Sequence, residues 1–222
     1  MLPGDRSGAL AALGFAPHSG WAAMIGIAGG DARPRLLVRE RLEMAGPHEP
    51  GSKQPYHAVE GLPIGEAQRR LAAYAATSER MAHESIRRVV DELAEGAHRV
   101  IGVGILESAG RKGSSLAATL ASHALIHTAD GDHFRTAVAA GATRCRLATL
   151  RVGARDLEAE AAAVIGRTPD MLHRALKELG REVGPPWGAD QKAAALLAWL
   201  VLAAHEGREV RRQHGDSDRQ AR

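Results

Sequence analysis

Residues 21–28, WAAMIGIA, are apolar without interruption and include the β-branched Ile25 and Ile27, a pattern that predicts a buried strand. Gly29, Gly30, Asp31 and Pro34 follow in a stretch of turn chemistry. Over residues 35–43, Leu36 and Val38 alternate with Arg39 and Glu43, the period of a second strand. Two such runs joined by a short loop bearing Gly and Pro predict a β-hairpin. Residues 1–19, before it, carry only a weak pattern, with a short helix expected at 9–13. Residues 45–55, after it, are a Gly- and Pro-rich loop, and 55–59 read as a short third strand.

Helical periodicity begins near residue 64. Pro63 falls near the first turn, where its missing N–H would be unpaired in any case. Leu71, Tyr74, Met81, Ile86, Val89 and Leu93 approximate one apolar stripe that stops at Gly96. Residues 99–106, RVIGVGIL, carry the strongest strand pattern, apolar throughout as a strand covered on both faces should be. A polar, Gly-rich connection at 107–115 leads to helices at 116–127 and 132–140, and a further strand is expected at 146–152. Helices at 156–165 and 169–179 precede a last apolar helix at 190–205. The order β-β-(β)-α-β-α-β-α-α predicts an α/β fold: a mixed sheet begun by an N-terminal hairpin, with helices on both faces. One domain over 1–205 and a polar, flexible tail over 206–222 are expected.

Composition narrows the class only a little. The hydrophobic share of the 222 residues is 45%, but aromatics are 3%, so the core is one of small side chains and closely packed helices. The single cysteine, Cys145, excludes an internal disulfide and fits a reducing compartment, and a cytoplasmic protein is expected. The chain does not open on a signal-peptide pattern, and residues 193–204, the longest apolar stretch, are too few to span a bilayer; no membrane partner is expected. Lys and Arg number 29 against 26 Asp and Glu, a net charge of +3. The two signs are interspersed, so the balance permits an anionic partner such as nucleic acid without requiring one. The mixed-charge helix at 64–96 also suits a homo-oligomer or a non-enzymatic partner-binding protein.

Three local motifs carry a family resemblance. Ile25-Gly26-Ile27-Ala28-Gly29-Gly30 resembles a first strand and turn of the pattern hydrophobic-Gly-Ile-Asp-Pro-Gly. Residues 100–107 resemble a fourth strand that ends in a catalytic Glu, here Glu107. Asp190-Gln191-Lys192-Ala193-Ala194-Ala195-Leu196 resembles a last helix with the pattern Asp-x-x-Asp-Ala-Leu. Together with the element order, these resemble the ribonuclease H-like superfamily, in its Holliday-junction-resolvase branch. The resemblance implies a nuclease that holds two Mg²⁺, or another divalent metal, with several carboxylates and acts on nucleic acid. It also implies that the leading hairpin strand lies beside RVIGVGIL, with the Ala-rich last helix across their shared end. Against the pattern, Ala28 and Ala193 stand where metal-ligating carboxylates belong. The implied chemistry is therefore that of a degenerate or weak nuclease, in which Glu107, Asp190 and Asp31 are the candidate catalytic carboxylates.

Other constellations stand apart from that family. Gly110-Arg111-Lys112-Gly113-Ser114-Ser115 connects a strand to a helix, so Arg111, Lys112, Gly113 and Ser114 are candidate anion ligands, with Lys53 from the segment GSKQPYH joining them. The same connection equally suits a solvated loop with Ser114 or Ser115 as helix N-cap. His123 and His127 stand four residues apart on one helix face, with Asp130 one turn on, and could ligate a metal; with His133 they form a 123–133 His/Asp cluster that would centre a small-molecule hydrolase. The same residues also suit a helix C-terminus followed by a turn at Asp130-Gly131.

Overall fold

The structure is a computed structural model, and it describes residues 8–29, 33–110 and 113–220, with side chains through residue 209. Asp31, Arg111 and Lys112 lie outside the described residues.

Five strands form one mixed sheet in the order β3-β2-β1-β4-β5. They are β1 (Ala9–His18), β2 (Trp21–Ala28), β3 (Arg35–Glu43), β4 (His98–Glu107) and β5 (Ala148–Gly153). β1, β2 and β3 run antiparallel as a meander, whereas β4 joins β1 in parallel and β5 joins β4 in parallel. Two expectations are corrected here. Residues 9–13 belong to β1, not to a helix, and the strand beside β4 is β1 rather than β2. The leading hairpin strand of the sequence reading is thus the second strand of the sheet. Residues 55–59 are also corrected from strand to helix: α1 (Pro55–Ala58) begins on Pro55, whose fixed φ suits a first helical position.

The helices form two layers around the sheet. The long α2 (Ile64–Glu95) and α4 (His123–Arg144), with the short α3 (Leu116–Leu120) before α4, cover one face. There Leu13, Phe15, Met24, Val103 and Ile105 pack with Ile86, Val89, Phe134 and Val138. α7 (Ala189–Gln220) covers the other face, backed by α5 (Leu157–Ile165) and α6 (Pro169–Val183). Ala12, Ala16, Ile25 and Ile27 pack there against a fully apolar stretch of α7 from Ala194 to Leu202. Such a helix, apolar all round, is one buried between layers.

Small residues set the distance between sheet and helix. Gly14 of β1 and Gly104 of β4 are direct partners across the parallel pair. A Cβ on Gly14 would overlap the carbonyl oxygen of Ala194, and one on Gly104 would lie 2.8 Å from Cβ of Leu197. The backbone of α7 therefore rests on two adjacent glycines. Trp187, ahead of α7, seats its ring against Gly180 and donates from Nε1 to the carbonyl of Leu176 at 2.9 Å, which ties the lead-in of α7 to α6. The charges of α2 behave as a solvated face: Arg80–Glu84, Arg87–Asp91 and Arg88–Glu92 are all exposed i,i+4 pairs.

Candidate functional site

Two places gather chemistry. The first is the sheet end where β1 and β4 finish and α7 begins. With β1 as first strand, Leu13-Gly14-Phe15-Ala16-Pro17-His18 fits the pattern hydrophobic-Gly-Ile-Asp-Pro-Gly better than residues 25–30 do. The Asp position is then Ala16, which is buried against α7. Phe15 pairs with Ile105, so the continued register sets Leu106 beside Ala16 and Glu107 beside Pro17. Alternation along β4 puts Leu106 on the α7 face with Ala16, and Glu107 with Val103 and Ile105 on the face of α2 and α4. Glu107 accepts from Arg151 of β5 at 2.7 Å.

Asp190, in the first turn of α7, pairs with Nε2 of His18 at 2.9 Å. The His18 ring stacks on Trp21 with centroids 4.5 Å apart, and the Arg41 guanidinium lies 3.9 Å from the centroid of a Trp21 ring. Asp190 and Glu107 thus mark the same end of the sheet but each is committed to a cation or histidine of its own. Among the described residues neither belongs to a group of three or more metal-ligating side chains. A pair of Mg²⁺ ions needs several hard oxygen ligands converging on one point. A donor set of Ala16, Leu106 and Ala193 with two separately paired carboxylates does not fit it.

The anion-binding candidates divide in the same way. Gly113 packs on Thr119 of α3, and Ser115 is the N-cap that accepts from the N–H of Ala118 at 3.1 Å, while Ser114 is exposed. Lys53 lies elsewhere, its chain against Gly20 in the β1–β2 turn, so it does not complete a ring with Gly113.

The second place is the start of α4. His123 and His127 project from successive turns, their Nε2 atoms 3.0 Å apart. α1 brings a third imidazole: the His57 ring centroid lies 5.3 Å from that of His123 and 4.5 Å from that of His127. One ligand nitrogen from each of the three lies within 4.8 Å of the others. Asp130 stands behind this trio rather than in it. Its carboxylate, 2% exposed, accepts from Nδ1 of His57 and, at 2.6 Å, from the backbone N–H of Tyr56. Those two bonds hold α1 against α4. Tyr74 of α2 secures the loop before α1 by donating to the carbonyl of Pro50 at 2.8 Å.

Against the face of α4 that carries Leu125, Thr128, Ala129 and Asp132, turned away from His123 and His127, a cavity of about 590 Å³ is bounded by α2, α3 and Tyr56 of α1. Asp132 and His133 line it. Nε2 of His133 is 3.0 Å from Ser78 Oγ, and burial lowers the pKa of the imidazole to about 4, so it is neutral at pH 7. Burial, then the charges of Asp130 and Asp132, pushes the Tyr56 phenol up.

Comparison with known proteins bears on the fold. Two structures of Thermus thermophilus RuvC, one in complex with Holliday junction substrate, match the chain with TM-scores of 0.52 and 0.53. Each is 14% identical to it and aligns over 89% of this chain and 96% of its own. The chain has the ribonuclease H-like fold, in its resolvase form. No family model matches the sequence, and no curated protein does either. The likeness is one of architecture, and at this identity it says nothing of retained chemistry. Among the described residues of this ribonuclease H-like chain, no helix is long and apolar enough to cross a membrane.

His57 is the site residue that sequence spacing does not reveal. It sits 66 positions before His123, and only the packing of α1 on α4 joins them. The local signal was the Pro-bounded segment GSKQPYH, chemically rich but without a partner in sequence.

Proposed function

We propose that this ribonuclease H-like chain binds nucleic acid at the end of the sheet where β1, β4 and the N-terminus of α7 meet, and that it does so without two-metal nuclease chemistry. One observation carries the proposal: the two resolvase-pattern ligand positions that converge there, on β1 and on α7, are Ala16 and Ala193, in an otherwise resolvase-like fold. The carboxylates nearby each have a partner, Glu107 the guanidinium of Arg151 and Asp190 the ring of His18. The half-exposed stack of His18, Trp21 and Arg41 supplies what a strand or junction backbone would meet: an aromatic face and a guanidinium. The experiment is an electrophoretic shift of four-way, duplex and single-stranded DNA and RNA across a salt series, with Mg²⁺ and Mn²⁺ added in parallel. Binding that weakens as salt is added, on substrates that stay intact, is the expected outcome. Metal-dependent cleavage that is lost in Glu107→Gln or Asp190→Asn would restore those carboxylates to a catalytic role.

A second function, a metal-assisted hydrolase acting on a small molecule, is favoured by the three histidines, whose nitrogens lie within 4.8 Å of one another. Turnover of ester or phosphoester model substrates that depends on added transition metal and is lost in His123→Ala is the result it requires.

A further inference from the structure

The geometry assigns a transition-metal site to His57, His123 and His127, with Asp130 as the residue that orients His57, and it does so independently of any nucleic-acid binding. Four observations converge. The three imidazoles come from two elements, α1 and α4, and present nitrogens within 4.8 Å of one another. The Nε2 atoms of His123 and His127 are 3.0 Å apart. Two nitrogens at about 2.0–2.1 Å from one tetrahedral Zn²⁺ would be separated by about 3.3 Å, so the pair needs only a small adjustment to share an ion. An ionised carboxylate can only accept hydrogen bonds, so Asp130 keeps the proton of His57 on Nδ1 and leaves the Nε2 lone pair free. That carboxylate–imidazole pairing is the arrangement that fixes tautomer and ring angle in metal sites, and here the carboxylate is buried and doubly bonded.

The donor chemistry selects the ion. Three neutral imidazoles suit Zn²⁺, Ni²⁺, Cu²⁺ or Fe²⁺ and are poor ligands for Mg²⁺, which demands oxygen. His123 and His127 are exposed and His57 is half-buried, so three protein ligands leave a position open to water or to an anionic ligand. A site closed by a fourth protein ligand would be structural; this one keeps a coordination place on the solvent side.

The test uses the full chain, stripped with a chelator, and titrates Zn²⁺ against a competing chromophoric chelator. One Zn²⁺ per chain is expected, undisturbed by millimolar Mg²⁺. Co²⁺ in its place should give visible ligand-field bands of a low-coordinate nitrogen site. His123→Ala and His127→Ala remove exposed side chains, so the variants fold, and each is expected to weaken binding at least about 100-fold and abolish the Co²⁺ bands. His57→Ala should do the same, and Asp130→Asn should weaken binding by about 10–100-fold, the usual effect of losing an orienting partner. Should Asp130→Asn fail to fold, the three histidine variants still decide the matter. Zinc binding that survives His57→Ala unchanged would show two exposed histidines acting alone and overturn the site. Absence of stoichiometric Zn²⁺, or zinc retained in the His123→Ala/His127→Ala double variant, would overturn it as well.

Discussion

At Gly14 a single hydrogen atom stands where any other side chain would meet the backbone of α7. A Cβ there would overlap the Ala194 carbonyl, and β1 is too central to shift. Gly14→Ala is expected to lower stability by about 2–4 kcal/mol, toward the upper end of overpacking costs, as read by urea unfolding. Ala16, two residues on, is the opposite kind of test. It is buried on the α7 face, so Ala16→Asp would place a carboxylate in an apolar layer with no metal to meet it. The variant should lose about 3 kcal/mol and gain no Mg²⁺-dependent cleavage; a variant that is stabilised by Mg²⁺ would revive a metal site at the sheet end. His133 gives a pH signature. Its folded pKa of about 4 lies below its ordinary 6.5, so the unfolded chain takes up the proton first. Its contribution is constant above about pH 6.5 and turns against the fold as pH falls toward 4. Between pH 7 and 4.5 this amounts to roughly 2 kcal/mol by linkage. Unfolding at the two pH values should show that much less acid sensitivity in His133→Gln than in the parent chain.

Elements differ in how openly the sequence declares them. RVIGVGIL and WAAMIGIA are rich in Ile and Val and are strands in the structure as in the pattern. β1, ALAALGFAPH, is mostly Ala and Leu, residues that favour helices in isolation, with one Gly and one Pro, and only tertiary packing makes a strand of it. The sheet needs small residues there because α7 lies so close, and that requirement is invisible until the two are seen together. With β1 as the first strand, the aspartate position of the resolvase pattern falls at Ala16 rather than Ala28, an alanine in either place. α1 shows the same limit from the other side. PYHA is too short to declare a period, and the bonds to Asp130 on α4 set its orientation. The pair His123 and His127 was legible because helical spacing is local; the third histidine was not, because it arrives through that packing.

Across the whole molecule, the likeness to the RuvC structures is one of fold. The net charge is only +3, and among the described residues many charges form mixed pairs along α2. Binding, where it occurs, must draw on the local cations and rings near the β1–β2 turn, and it should release few counterions. A shallow log–log salt slope is therefore expected, corresponding to roughly two to four phosphates rather than the larger numbers of strongly basic binders. Arg41→Ala should weaken it without touching the fold, since Arg41 is exposed and its Glu43 pair is a surface one. The most direct measurement is incubation of the full chain with a labelled four-way junction, with and without Mg²⁺ or Mn²⁺, followed by native and denaturing gels. Retarded but intact junction, released by added salt, is the expected result. Strand cleavage that requires the metal and disappears in Glu107→Gln, or a junction that is never retarded, would contradict it.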